Sequence, residues 1–225
     1  MTIKAIVTDI EGTTTSISFV FDVLFPYARK HIAGFVRSNL DTPAVQRELD
    51  AINREVGQTL STDQAIEQLL DWIDQDRKVT PLKSLQGMIW KQGYLDGQFT
   101  GHVYPDAAEY LRKWHDEGIK LYVYSSGSIA AQKLLFGHSD LGDLTPLFSG
   151  YFDTTIGMKR ESSSYQRIAN ELALDAGQIL FLSDTVEELD AAVDAGMRTA
   201  WLVRNHRHMT GPGHPPCHDF SEVPV

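Results

Sequence analysis

Short runs rich in β-branched and aromatic residues, at positions 3–8, 119–124, 151–155, 178–182 and 199–203, alternate along the second half of the chain with helical patterns at 128–136, 163–172 and 186–195. A strand can reach a parallel neighbour only through a long crossover, so strand-helix-strand alternation predicts a parallel five-stranded sheet, doubly wound with helices on both faces. One interval breaks the rhythm. The first run ends at Asp9 and the second at Tyr124, whereas a crossover normally takes about 30 residues, so a further body is inserted between them.

The insert reads as helices at 18–40, 43–56 and 61–73, the last with Ile66, Leu69, Leu70 and Ile73 on one face. Ser61 and Gln64 have the spacing of a capping box. Thr80 before Pro81 predicts the cap of another helix, with Leu82, Leu85 and Ile89 sharing a face. The expected organisation is an α/β core of residues 1–15 and 99–225 and a helical cap domain of residues 16–98.

Thirty acidic against twenty basic residues give a formal charge of −10, which repels nucleic acid and anionic membrane surfaces. No apolar run has the length of a membrane span. The single Cys217 cannot form an internal disulfide, and the first residues run into a strand pattern instead of a signal segment, so a cytoplasmic protein is expected. Nothing demands an oligomer; a monomer is expected.

In an open parallel sheet, ligands bind beyond the carboxyl ends of the strands. The first strand delivers Asp9-Ile10-Glu11-Gly12-Thr13 and the second Ser125-Ser126-Gly127; Gly157-Met158-Lys159 follows the third, and the fourth delivers Ser183-Asp184. Two carboxylates spaced i, i+2 on a turn can offer a nucleophile and a proton donor to one substrate atom. A third at another strand end supplies oxygen ligands for Mg²⁺. Lys159 near Asp9 would neutralise an incoming phosphate, and Ser125 and Ser126 could hold that phosphate at a helix start. Each has a plainer alternative when taken alone: turn residues for Asp9 and Glu11, a helix cap for Asp184, a solvated charge for Lys159, a serine-rich turn for Ser125 and Ser126.

The ordered set Asp9, Glu11, Ser125, Lys159, Asp184 resembles the haloacid dehalogenase superfamily of phosphohydrolases. Most phosphatases of that superfamily carry a second aspartate where this chain has Glu11. The runs VTDIEGTTTSISFV, YSSGSIAAQKLLFGHS, YFDTTIGMKRESSSY and ILFLSDTVEELDAA resemble more narrowly the enolase-phosphatase E1 family of methionine salvage. DRKVTPLKSLQGMIW and YLDGQFTGHVYPD are similar to the cap and its return in that family.

The resemblance implies strand order 5-4-1-2-3 and an inserted cap. It implies a phosphorylated diketone substrate, 2,3-diketo-5-methylthiopentyl 1-phosphate, enolised and then dephosphorylated with one Mg²⁺ per subunit. It further implies Asp9 as nucleophile and metal ligand, and Glu11 as acid and base with its carbonyl on the metal. Ser125 and Ser126 would be phosphate ligands, Lys159 the bridge between nucleophile and phosphate, Asp184 a metal ligand, and Glu188 a group behind the metal's waters. Glu188 could equally be a solvated helix residue. Two other functions compete: a phosphatase of the same superfamily for another small phosphate ester, and a Mg²⁺-binding regulatory protein without catalysis.

Other features read more simply. Arg77, Lys78 and Lys83 could attract or close over an anionic substrate but better suit a solvated face, and Phe19, Phe21, Phe25 and Tyr27 could include a contact for the methylthio group but better suit a core. His206, His208, His214 and His218 around Cys217 lack zinc-site spacing, and the tail with Gly211, Pro212, Gly213, Pro215 and Pro216 is expected to be a flexible extension.

Overall fold

The computed structural model describes residues 2–204 and 213–225. The chain divides into two compact units, Met1–Ile17 with Thr100–Val225, and Ser18–Phe99.

The first unit is built on a parallel sheet of β1 (Ala5–Thr8), β2 (Lys120–Tyr124), β3 (Phe148–Phe152), β4 (Ile179–Ser183), β5 (Arg198–Leu202) and β6 (Pro216–Cys217), in the order β3-β2-β1-β4-β5-β6. Every residue of β1 and β4 is buried, as central strands covered on both faces require. The chain leaves β1 with β2 on one side and β4 on the other. That reversal opens a crevice at the end of β1, the place where such sheets bind ligands. Within this unit α6 (Pro105–Asp116) leads into β2, while α7 (Ile129–Gly137), α8 (Ser162–Leu172) and α9 (Val186–Asp194) follow β2, β3 and β4.

Two expectations are corrected here. The sheet has six strands, not five, because the tail returns: Trp201 pairs with Pro216 and Leu202 with Cys217. The third strand is Phe148–Phe152, not 151–155. Asp153 Oδ1 accepts from the Thr155 amide at 2.9 Å and its hydroxyl at 2.7 Å, so the β-branched threonines sit in a side-chain turn, not in the ladder.

From residue 213 onward the tail is packed instead of flexible. His214 is 5% exposed, with Nε2 at 2.9 Å from Asp190 Oδ1 and Nδ1 at 3.2 Å from Thr199 Oγ1. The buried Phe220 stacks on Trp114 and donates its amide to Asp106 Oδ2 at 3.0 Å. Just after β5, Arg204 donates through Nε and Nη2 to the Thr13 carbonyl at 3.0 and 2.7 Å and through Nη1 to Asp106 Oδ2 at 2.6 Å. Its guanidinium lies 4.1 Å from the centre of the Tyr104 ring. His206, His208, Gly211 and Pro212 lie outside the described residues.

The second unit is helical. A short α1 (Ile17–Phe19) opens into a π turn, Val20–Leu24, and continues as α2 (Phe25–Ser38), so the expected single helix over 18–40 is interrupted and ends earlier. Pro26 accounts for the wide turn, since it has no N–H for the carbonyl four residues back and its ring would collide with it. Trp90 Nε1 donates to the Leu24 carbonyl at 2.8 Å. The remaining helices are α3 (Pro43–Val56), α4 (Thr62–Asp74) and α5 (Thr80–Leu95). Ser61 and Gln64 form the capping box in both directions. Thr80 is not the cap of α5; extended Val79 is, and Thr80 is already helical. Ala28, Ile32 and Val36 of α2 pack in one apolar cluster with Val45, Ile52, Ile66, Leu69, Trp72, Leu82, Leu85 and Ile89. Phe19 is buried, whereas Phe21 is exposed and not part of the core.

Candidate active site

The end of β1 is fixed before any substrate arrives. Asp9 donates its amide to the Leu182 carbonyl of β4 at 2.8 Å and is 5% exposed. Its own carbonyl accepts the Thr8 hydroxyl at 2.9 Å and the Thr14 hydroxyl at 3.3 Å. The chain then folds back: the amides of Thr13, Thr14 and Thr15 converge on the Ile10 carbonyl at 3.2, 3.0 and 2.9 Å, and Gly12 N–H reaches the Thr15 carbonyl at 2.7 Å. Glu11 stands half-buried on this turn, two residues after Asp9, bridged through its backbone to Thr15.

Gly12 adopts φ +75°, and a Cβ there would lie 2.0 Å from Asp184 Oδ2. Glycine is therefore what lets the carboxylate at the end of β4 come up against the β1 loop. Asp184 does not cap α9; Thr185 occupies that position, without a side-chain cap, and its hydroxyl donates to Asp184 Oδ1 at 3.0 Å. The Asp184 carbonyl accepts from Trp201 Nε1 at 3.0 Å.

Lys159 arrives from the loop after β3. Its ammonium is 2.5 Å from Asp9 Oδ1 and 2.7 Å from Glu188 Oε2, with side-chain exposures of 11% for the lysine and 6% and 12% for the two acids. It is not a solvated charge. Glu188, in the first turn of α9, also accepts the Ser183 hydroxyl at 3.0 Å. Its carboxylate is thus on Lys159 and Ser183 and is not a solvated helix residue.

Burial alone would pull the Lys159 ammonium down, but the Asp9 and Glu188 carboxylates outweigh it and hold the lysine charged. Glu188 is pushed up to about 7, first by burial and then by the Asp9 charge, because two acids share one ammonium. Asp184 is pushed up to about 6, again by burial first and the Asp9 charge second.

At the neighbouring strand end, Ser125 is buried, donates its amide to the Phe152 carbonyl at 3.2 Å and accepts the Gly127 amide on Oγ at 3.2 Å. Ser126 is exposed beside it, and Ser128 caps α7 by accepting the Ala131 amide at 3.3 Å. Gln132 ties this loop down, donating to the Gly127 and Phe152 carbonyls at 2.8 Å each.

Asp9 and Glu188 share the one ammonium of Lys159, and Asp184 faces the Asp9 charge. Among the described residues no three His, Cys, Asp or Glu side chains gather as an all-protein metal cage. Mg²⁺ does not need one: it takes one or two carboxylates and keeps water or substrate oxygens for the rest. The raised Asp184, facing the Asp9 charge at a site short of positive charge, fits such a hard dication held by Asp9 and Asp184. A carboxylate backed by an ammonium, a cation site and serines at a helix start can receive a phosphate ester, neutralise it and attack it.

Sequence reasoning missed the groups behind these side chains. Tyr124 and Tyr165 donate to carbonyls of the Lys159 loop, and Arg204 grips the loop of Asp9. The signal available was a buried-type tyrosine at the last position of a strand and an arginine just past another, neither distinctive alone.

Comparison with known proteins agrees with this arrangement. The family model described as haloacid dehalogenase-like hydrolase matches residues 3–196. An enolase-phosphatase E1 of Pseudomonas aeruginosa (strain UCBPP-PA14) is 60% identical over 226 residues, covering 100% of both chains. The crystal structure of the UTR4 protein of Saccharomyces cerevisiae superposes with a TM-score of 0.84 at 32% identity, over 98% of this chain and 100% of that one. A haloacid dehalogenase-type phosphatase from Thermococcus onnurineus, 20% identical with a TM-score of 0.60 over 98% of this chain and 95% of its own, shares the fold. Matched end to end by relatives of that name and over most of its length by the broader model, the chain belongs to the haloacid dehalogenase-like hydrolases and, among them, to the enolase-phosphatase E1 family.

Proposed function

We propose that this enzyme converts 2,3-diketo-5-methylthiopentyl 1-phosphate into the acireductone 1,2-dihydroxy-3-keto-5-methylthiopentene and phosphate, by enolisation followed by hydrolysis through an aspartyl phosphate. The observation that carries the reading is the Lys159 ammonium set 2.5 Å from Asp9, a buried carboxylate at the switch point of the sheet. The substrate is the one that the resemblance to the enolase-phosphatase E1 family implies, and a relative of that name at 60% identity supports it.

Lys159 takes up the negative charge of both Asp9 and the incoming phosphate, lowering the repulsion that otherwise keeps an anionic nucleophile from an anionic ester. Asp9 attacks phosphorus, the bond to the ester oxygen breaks, and Glu11 gives that oxygen its proton. Glu11 then takes a proton from the water that cleaves the aspartyl phosphate, returning Asp9 and releasing phosphate. Ser125 and Ser126 hold the phosphate oxygens at the N-terminal end of α7. One Mg²⁺ on Asp9, Asp184 and the Glu11 carbonyl supplies Lewis-acid stabilisation when bound. Glu188 holds the Lys159 ammonium at 2.7 Å and would orient the metal's waters when the ion is bound.

Enolisation calls for proton transfer at carbon and hydrolysis for proton transfer at oxygen, and the extra methylene of Glu11 over aspartate widens its reach for both. Glu11→Asp is expected to uncouple the two steps; unchanged rates of both would reject the reach argument.

The deciding experiment incubates the purified protein and Mg²⁺ with the diketo phosphate, following the absorbance of the conjugated enol and the release of phosphate together. Both signals support the reading. Phosphate without enol indicates a phosphatase for a different ester, and neither signal indicates a binding protein.

A further inference from the structure

Three consecutive carbonyls of the loop that carries Lys159 are each taken by a side-chain hydroxyl. Tyr124 Oη donates to Gly157 at 2.8 Å, Ser164 Oγ to Met158 at 2.8 Å and Tyr165 Oη to Lys159 itself at 2.7 Å. The donors come from the last residue of β2 and the first turn of α8, and all three are fully buried. Loop carbonyls ordinarily face water and leave the backbone free to shift. Here the backbone on both sides of the lysine is held from beneath.

The clamp is itself rigid. The Tyr124 and Tyr165 rings meet edge to face with centres 5.6 Å apart, and both contact the Phe181 ring of β4, at 6.5 and 5.0 Å. Neither ring can turn away without leaving the core. Burial, the main cause in each case, pushes both phenols up, which keeps them O–H donors at neutral pH. Gly157 has φ +144°, and a Cβ on it would lie 2.1 Å from Ser164 Oγ, so the loop is pressed onto the clamp too closely for any side chain. Tyr124 also precedes Ser125 directly, so one residue ties the lysine loop to the phosphate-binding strand end.

We propose that Tyr124, Ser164 and Tyr165 are positioning residues, a hydroxyl clamp that fixes the backbone of residues 157–159 so that the Lys159 ammonium meets Asp9 and the phosphate already oriented. This rests on the reading of Lys159 as the phosphate-neutralising group. A flexible lysine stem anchored on a mobile backbone would have to be ordered during each turnover; the clamp supplies that order in advance.

The test uses the full chain with Mg²⁺ and the variants Tyr165→Phe, Tyr124→Phe, the double variant and Ser164→Ala, each of which keeps the buried volume nearly unchanged. Tyr165→Phe is expected to lower kcat by about 10-fold and the double variant by about 100-fold, with KM changed by no more than about 2-fold, because a displaced catalytic group is felt at the transition state. Orthovanadate affinity, measured by calorimetry, is expected to fall in step with kcat. In a Lys159→Met background the loss of the Tyr165 hydroxyl is expected to change vanadate affinity no further, which a merely structural role would not produce.

Folded variants with wild-type kcat, or the same vanadate loss with and without Lys159, overturn the clamp. Should a tyrosine variant fail to fold, Ser164→Ala carries the same comparison. Wild-type protein that binds vanadate but turns over no ester overturns the proposed function and leaves the clamp to be judged by the vanadate cycle. Binding neither vanadate nor substrate overturns both.

Discussion

In the helical unit the ion pairs lie in solvent: Arg29 and Asp74 meet at 2.7 Å with both side chains 51% exposed, and Arg37 and Asp63 are more exposed still. At the strand ends of the other unit, Lys159, Asp9 and Glu188 meet at similar distances almost out of contact with water. Buried polar side chains divide in the same way. Among the described residues of 18–99 only Gln86 is one, whereas Thr8, Asp9, Thr13, Thr14, Thr15, Ser125 and Ser183 gather at or next to the ends of β1, β2 and β4. Surface pairs add little to stability, and buried charge costs desolvation that attraction only partly offsets. A fold that concentrates such costs in one place while its other unit avoids them has the arrangement that a site of chemistry needs, and this supports the proposed assignment.

Substitutions should therefore act on different properties in the two units. Asp9→Asn is expected to cost on the order of 10⁴ to 10⁶ in turnover, as loss of a nucleophile does, with a thermal midpoint near that of the parent; full turnover would reject the covalent route. Gly12→Ala drives a methyl into Asp184 and is expected to cost roughly 100-fold in turnover through displacement of that carboxylate, with weaker Mg²⁺ binding by calorimetry. Lys159→Met leaves buried acids without their cation and should destabilise the metal-free protein by about 3–5 kcal/mol in urea titrations. Asp74→Asn in the helical unit, by contrast, is expected to leave the urea midpoint where it was.

The acids at the strand ends also set a dependence on pH. A carboxyl raised on folding binds more protons in the folded state than in the unfolded one, so its contribution falls as pH climbs from the unfolded value to the folded one. For Asp184, raised from 3.8 to about 6, the loss across that window is about 3 kcal/mol, and Glu188 extends it toward pH 7. Urea titrations in EDTA should show this decline and added Mg²⁺ should abolish it; identical profiles with and without the metal would remove Asp184 from the cation site. The capping box of the helical unit is worth less than these buried acids: Ser61→Ala is expected to cost about 1 kcal/mol and to leave kcat untouched.

The residues to which the proposed mechanism gives the most direct chemistry were also the easiest to find. Asp9, Ser125 and Asp184 stand at the ends of apolar runs, and Lys159 follows another, so alternation of strand and helix located them without any knowledge of contacts. What stayed hidden was set by distant pairing or by local hydrogen bonds that mimic or interrupt a pattern. Asp153 bends the chain where two threonines suggest a strand, and Pro26 widens a helix whose apolar spacing suggests none. Pro216–Cys217 forms a strand only because β5 presents an open edge, which composition rich in glycine and proline disguises. Tyr124 and Tyr165 read as core, and they are core; their hydroxyls acquire a second task only when the loop at 157–159 folds over them.

Arg204 reaches back 191 positions to the Thr13 carbonyl. On a ribosome the guanidinium that grips the turn after Asp9 is therefore made long after the acid it steadies. A chain cut short before position 204 would carry the carboxylate at position 9 without that grip.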